Sequence, residues 1–365
     1  MKIGILTFHC AHNYGAVLQC YALQETLRQM GHEVEVIDYR PDYLVKPYKW
    51  FDIHWFISRN PINAARKFSK EIVLLLTRIK RYRAFEKFIS SRLNVSDRVN
   101  FDSIPSKYDI YIMGSDQIWN PYITHGFEPA YFGKFKFSKE KRKYIAYAAS
   151  METKSLGEKA QNFYKQTLKN FDAVSVREFQ LATLLQPLTD KKIETVLDPT
   201  LLADSSIWNK IAKRPKINQK YVLVYQVRGE KQNILSVANK IACQLNAVVV
   251  EVTSWFSIQF KRIKIQNAAP EEFLGLIKYA SFVVTTSFHG TAFSVIFNRP
   301  FYCIRLDDGC DTRSMSLLKN IGLENRMITK DLNPVPSGID YVEANKRVAD
   351  LRKMSMNFLI KNIGE

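Results

Sequence analysis

The stretch Lys2–Tyr39, KIGILTFHCAHNYGAVLQCYALQETLRQMGHEVEVIDY, decides the fold class. Its opening, KIGILTF, has the length and apolarity of a short buried strand. HCAHNYG follows as a polar loop. Apolar residues then recur at Val17, Leu18, Tyr21, Ala22, Leu27 and Met30, close to a helical repeat. Gly31 stands where a C-cap is expected. HEVEVIDY alternates as a second strand. Strand, helix and strand in this order predict a right-handed, parallel unit.

Similar units follow. YDIYIMGSDQIWNP is a strand running into a polar loop, and KYIAYAAS is a strand. DAVSVRE is a strand ending in charge, and FQLATLLQ is helical. IETVLDPTLL is a strand stopped by Pro199. After the basic linker KRPKINQK a second series begins: YVLVYQVR, the helix QNILSVANKIACQL, the strand AVVVEVTS, the helix PEEFLGLIKYA, the strand SFVVTT, a turn and short helix, and the strand FYCIRL. Alternating strands and helices predict an α/β protein whose mostly parallel sheets are covered on both faces. The expected division is two Rossmann-like domains, 1–205 and 206–335, facing across a cleft, with a C-terminal helix in 336–365 packing back on the first. Ligands of such sheets bind beyond the C-terminal strand ends.

The chain has 365 residues, 46% hydrophobic and 24% charged, which supports two folded cores and excludes general disorder. MKIGILTFHC is too short an apolar run for a signal peptide. IVLLL, Ile72 to Leu76, falls far short of a membrane span. Five cysteines, Cys10, Cys20, Cys243, Cys303 and Cys310, are odd in number and form no CxxC pair. Reduced thiols in a cytoplasmic protein are expected, with no disulfide framework and no metal site.

The net charge of +18 is uneven: Tyr43 to Arg98 holds 13 Lys/Arg against 4 Asp/Glu, half of the total. Trp50, Phe51, Trp55, Phe56, Phe68, Phe85 and Phe88 lie in the same stretch. The plain reading is surface helices whose aromatics face a core. A peripheral contact with an anionic membrane is preferred over nucleic acid, because no nucleic-acid-binding motif accompanies the charge. Segment 43–98 is therefore expected to be a basic, aromatic helical insertion.

The loops after the strands carry the chemistry. HNYG opens a helix whose N–H groups suit an anion, or else Asn13 simply caps it. Neither a dinucleotide fingerprint nor a P-loop is present. In GSDQIWNP, Asp116 suits a base or a sugar hydroxyl and Trp119 suits stacking on a sugar; the plain alternatives are a cap and a core residue. Arg177 in SVRE suits a carboxylate or phosphate, or an ion pair with Glu178. Asp198 in LDPT most simply makes a turn with Pro199. His289 in SFHG stands between a buried strand and a helix. A helix N-terminus disfavours the imidazolium, so a neutral ring able to accept a proton is expected. Gly290 allows close approach, and Ser287 and Thr291 offer hydroxyls.

NYGAVLQCYAL, GSDQIWNP, SVRE, LDPTLL and SFHGTAFSVIFNRPF, in this order and spanning roughly residues 1 to 305, resemble the polysaccharide pyruvyl transferase family. The resemblance implies a GT-B-like pair of domains. It implies transfer of the pyruvyl group of phosphoenolpyruvate to two hydroxyls of a sugar, as a cyclic ketal, in a cell-surface polysaccharide or lipid-linked precursor. By the same resemblance, His289 is the general acid or base and Asp116 a second catalytic group. Arg177, Ser287, Gly290, Thr291 and Arg305 face the donor. His12, Asn13, Tyr14, Gly15, Ser115 and Trp119 face the acceptor. Some members carry Arg two residues before the His, where this chain has Ser287, so either another cation replaces it, with Arg305, Lys261 and Arg262 as candidates, or the donor differs. Phosphoenolpyruvate is the donor substrate and no cofactor, metal or nucleic acid is expected. The enzyme is expected in the cytoplasm, at the inner face of the membrane. The competing functions are a nucleotide-sugar-dependent glycosyltransferase on the same scaffold and a non-enzymatic basic binding protein.

Overall fold

Seven segments pair side by side in the first sheet of the computed structural model. They are β1 (Lys2–Leu6), β2 (Glu33–Tyr39), β3 (Val95–Val99), β4 (Ile110–Asp116), β5 (Lys143–Ala149), β6 (Ala173–Val176) and β7 (Ile193–Thr195). All are parallel, in the order β3-β2-β1-β4-β5-β6-β7. A second parallel sheet is built from β8 (Tyr221–Tyr225), β9 (Val248–Val252), β10 (Ile263–Ile265), β11 (Phe282–Thr285), β12 (Phe301–Ile304) and β13 (Met327–Ile328), in the order β10-β9-β8-β11-β12-β13. The structure describes residues 1–51, 61–227, 234–253, 263–306, 311–329 and 335–364, with side chains in the long third helix from residue 72 onward except 73. Lys261, Arg262, Trp55, Phe56, Cys310 and the side chain of Phe68 lie outside the described residues.

Each sheet grows outward in both directions from its first strand, so strand order reverses between β1 and β4 and again between β8 and β11. Those reversals are where crossover helices diverge and leave a crevice at the C-terminal strand ends. This is a pair of Rossmann-like domains in a GT-B-like arrangement.

Helices cover the sheets. In the first half they are α1 (Tyr14–Gln29), α2 (Asp42–Val45), α3 (Pro61–Arg92), α4 (Glu158–Thr167), α5 (Phe179–Leu185), α6 (Pro199–Leu202) and α7 (Ser205–Ile211). In the second they are α8 (Ile234–Leu245), α9 (Pro270–Lys278), α10 (Phe288–Ile296), α11 (Asp311–Ile321) and α12 (Val342–Ile363). Asn13 caps α1 by accepting from the N–H groups of Gly15 and Ala16. Gly31, at φ +88°, lets the chain turn out of it. The segment 43–98 is a crossover rather than a pure insertion: α3 connects β2 to β3, and residues 95–98 belong to the edge strand. Phe85 and Phe88 are core residues of that crossover, while Trp50 and Phe51 are exposed.

The two domains share one hydrophobic core. Tyr14 of α1 stacks on Phe273 of α9 at 4.3 Å and donates to the Ala268 carbonyl at 2.9 Å. Trp208 of α7 meets Phe293 of α10 edge-on at 5.0 Å. Arg81 of α3 donates to the Tyr14 hydroxyl and to the carbonyls of His12 and Gln266, so one guanidinium ties the helical crossover to both domains. Helix α12 returns to the first sheet: Ser355 Oγ accepts from the Leu197 N–H and Arg352 Nε donates to the Leu201 carbonyl. Among the described residues, no helix is long and apolar enough to cross a membrane.

Candidate active site

A cleft of about 270 Å³ opens where the two reversal points face each other. The first domain contributes Phe8, Asn13, Tyr48, Asp116 and Gln117, and the second Ser287, Phe288, His289 and Arg313. Parallel strands end here on both sides, which is why loops distant in sequence converge.

His289 is placed by the turn from β11 into α10. Thr285 Oγ1 donates to the Tyr225 carbonyl at 2.7 Å and accepts from the Ser287 N–H at 3.0 Å. Ser287 caps the helix, its Oγ accepting from the Gly290 N–H at 3.4 Å. The imidazole then lies flat over Gly15: a Cβ on that glycine would sit 2.0 Å from His289 Nδ1. The turn that opens α1 is therefore the seat of a histidine from the other domain. His289 Nε2 is buried without a hydrogen-bond partner and stands 3.7 Å from Asp198 Oδ2.

Asp198 is the centre behind the cleft. Its Oδ1 accepts from the N–H and hydroxyl of Thr200 at 2.9 and 2.7 Å. Its Oδ2 accepts from Arg177 Nη1 at 2.7 Å and from Ser115 Oγ at 3.4 Å. Burial opposes its ionisation, but the neighbouring His289, the charge of Arg177 and the Thr200 hydroxyl outweigh burial and hold the carboxyl well below the usual range. Arg177 also donates through Nε to Glu178 Oε1 at 3.0 Å and through Nη2 to Ser150 Oγ at 2.8 Å, and it packs under the Phe288 ring at 4.5 Å.

These contacts correct several expectations. Arg177 does not line the cleft: its guanidinium donates to Glu178, Asp198 and Ser150 and packs against Phe288, which does. Ser115 is fully buried, donating to the Ala148 carbonyl and Asp198. Trp119 is a core residue stacked on Phe132 with its Nε1 on the Tyr131 carbonyl, so it cannot stack on a sugar. Tyr14 is an interdomain contact. His12 points away from the cleft and pairs with Glu86 at 2.8 Å. Gly290 serves packing, since a Cβ there would meet Thr285 Oγ1 at 2.3 Å. Thr291 is buried, its hydroxyl on the Ser287 carbonyl. Arg305 is 52% exposed, lies 3.9 Å from Asp311 and does not line the cleft.

The cleft retains Asn13, Asp116, Ser287 and His289, with Gly15 beneath the ring. Asp116 sits in left-handed backbone at φ 72°, its Oδ1 accepting from the Gln117 N–H at 2.8 Å. Such conformations cluster at functional sites. Two residues went unrecognised in the sequence. Asp198 looked like a turn residue because its pairing with Arg177 spans 21 positions. Arg313 carried no motif signal. Among the described residues, no group of three or more His, Cys, Asp or Glu side chains could hold a metal ion.

The model of the family described as polysaccharide pyruvyl transferase matches residues 13–308, from the N-cap of α1 through the β11–α10 turn to just beyond β12. The chain belongs to the polysaccharide pyruvyl transferase family. The matched region contains all the cleft-lining residues named above except Phe8 and Arg313. No curated protein matches the chain. Solved structures of similar shape include a putative UDP-N-acetylglucosamine 2-epimerase from Listeria monocytogenes, 10% identical, with TM-score 0.47 over 99% of this chain and 91% of that one. The UDP-GlcNAc 2-epimerase of Methanocaldococcus jannaschii is 13% identical, with TM-score 0.45 over 96% and 92% of the two chains. An alpha-glucosyltransferase in complex with UDP is 9% identical, with TM-score 0.47 over 99% and 96%.

Asp198 makes this pyruvyl transferase family member acid-sensitive in a definable way. Its folded-state ionisation lies below that of the unfolded chain, so its stabilisation is present above the unfolded value and lost as pH falls toward the folded one. Asp198→Asn is expected to lower the urea midpoint at neutral pH, with the gap to wild type narrowing below about pH 5. Urea titrations of both proteins across that range check this; a gap independent of pH contradicts it.

Proposed function

We propose that this family member transfers the pyruvyl group of phosphoenolpyruvate to two hydroxyls of one sugar, in an exopolysaccharide or its lipid-linked precursor. The observation that carries this reading is His289: an imidazole held over Gly15 between two domains, backed by Asp198 at 3.7 Å from Nε2 and lining a cleft with Asp116. Family membership supplies the reaction class.

The chemistry needs few parts. The donor's methylene carbon gains a proton and becomes a methyl group. One sugar hydroxyl loses its proton and bonds to the adjacent carbon, giving a tetrahedral centre that still carries phosphate. The carbon–oxygen bond to phosphate then breaks, and the cation left behind is attacked by the second hydroxyl. That hydroxyl's proton leaves, inorganic phosphate departs and a cyclic ketal remains. A group that can both give and take a proton suits both ends of this sequence. His289 takes that role. Asp198 holds negative charge 3.7 Å from Nε2 and so supports the ring when it carries a proton. Asp116, on the first domain's side, receives a hydroxyl proton from the acceptor. The N-terminus of α10, which lines the cleft through Phe288 and His289, turns the positive end of its helix dipole toward donor anions.

The reading also puts the acceptor on a lipid carrier at the cytoplasmic face of a membrane. Its support is α3, where exposed Ile72, Leu76, Lys80, Arg83 and Lys87 recur at helical spacing along one stripe, while Trp50 and Phe51 are exposed nearby in sequence.

Two measurements check these proposals. Phosphoenolpyruvate is expected to raise the thermal midpoint of the wild type, with no shift from uridine or guanosine diphosphate or cytidine monophosphate. His289→Gln is expected to keep the shift but lose about 10²- to 10⁴-fold in transfer of carbon-13 label from phosphoenolpyruvate to a glycan extract. Stabilisation by a nucleotide alone would replace pyruvyl transfer with glycosyl transfer. For the membrane, wild type is expected to sediment with phosphatidylglycerol vesicles and the triple variant Lys80→Gln, Arg83→Gln, Lys87→Gln to remain in solution. Equal sedimentation discards the lipid-facing role of α3.

A further inference from the structure

Ser287 leaves this site without the guanidinium that an Arg at that position would supply. We propose that Arg313 is the residue that binds the donor's anion in this chain, an assignment that rests on the pyruvyl-transfer reading above.

Arg313 stands in the first turn of α11, on the second domain. The start of that helix is fixed to the end of β12 by the Leu306 N–H, which donates to both oxygens of Asp311 at 2.9 and 3.0 Å. From there the side chain lines the same cleft as His289, Ser287 and Asp116. Among the described lining residues Arg313 is the one guanidinium, and Asp116 is the one carboxylate. A donor with a carboxylate and a phosphate is repelled by Asp116, so the cleft needs a fixed positive charge to admit it.

The guanidinium is held but not saturated. Its side chain is 12% exposed, and Nε is buried with no hydrogen-bond partner among the described residues. The contact from Nη2 to Glu152 Oε2 is 3.9 Å, beyond hydrogen-bond range. A buried guanidinium without full pairing is costly, and the part of the side chain that lines the cleft leaves it within reach of an anion there. Glu152 follows β5 on the first domain, so it orients the guanidinium across the gap without neutralising it through a direct bond. The planar fork matches a carboxylate or phosphate in two-point contact.

Among the described residues, the other arginines near the site are worse placed. Arg177 is engaged by Glu178, Asp198 and Ser150, packs against Phe288 and does not line the cleft. Arg305 is turned outward beside Asp311 and does not line the cleft. Arg81 is buried in the interdomain contact, with its donors on Tyr14, His12 and Gln266.

Titration calorimetry with phosphoenolpyruvate tests the assignment on wild type, Arg313→Gln, Arg313→Lys and Arg305→Gln, each first checked by thermal melting. Arg313→Gln is expected to weaken binding by about 10-fold or more, the loss typical of a charge-assisted hydrogen bond. Arg313→Lys should fall between it and wild type, because the charge remains and the fork is lost. Arg305→Gln should bind like wild type. Binding by Arg313→Gln that equals wild type overturns the assignment. Wild type that does not bind phosphoenolpyruvate overturns the pyruvyl-transfer reading itself, a different result. Should Arg313→Gln not fold, phenylglyoxal modification of the wild type decides. Phosphoenolpyruvate is expected to protect Arg313, read by peptide mass spectrometry, and modification at an unchanged rate overturns the assignment.

Discussion

The carboxylate of Asp198 is the constraint on which the site depends. It is buried, ionised and shared by three chain segments: Thr200 on its own turn, Arg177 after β6 and Ser115 at the end of β4. Its remaining open side faces His289 of the other domain. A buried carboxylate is tolerable only when paired and hydrogen-bonded, and breaking such a pair costs about 3–5 kcal/mol. Arg177 meets that requirement for Asp198, and Glu178 and Ser150 meet it for Arg177. The ion pair thus serves position more than stability. It fixes a charge where a histidine from elsewhere in the chain must stand.

The second constraint is steric. His289 can occupy its seat because residue 15 has no side chain. Asn13, two residues earlier, caps α1 and makes the turn that presents that glycine. Capping and seating are therefore one feature, and the HNYG loop acts through its backbone and its missing Cβ rather than through His12 or Tyr14. Tyr14 and Arg81 hold the domains in the register that this contact needs.

The sequence was most legible where periodicity is long and apolar. Both Rossmann-like series and the helices α1, α5, α8, α9, α10 and α12 follow from such runs. The three strands that escaped notice are all at or next to sheet edges: β3, reading VSDRV, is largely polar, while β10 and β13 are three and two residues long. The site was legible as a place, because every loop after a parallel strand points to one end. It was less legible as roles. Trp119, Ser115 and Thr291 have the residue types of ligand contacts, yet each finds its partners inside the protein. Whether a polar side chain faces a cleft or a core depends on pairings across tens of positions, and local spacing does not record them. Arg313 illustrates the converse: it belongs to no motif, and tertiary packing alone brings it to the cleft.

The central claim is that the cleft between the reversal points, with His289 at its middle, is where the donor reacts. A structure of the protein with phosphoenolpyruvate bound tests it most directly. The expected result places the donor's anionic groups between Arg313 and the start of α10, with its methylene carbon against the His289 ring and the acceptor side open toward Asp116. Phosphoenolpyruvate bound elsewhere, with the His289 ring touching no part of it, would contradict the account.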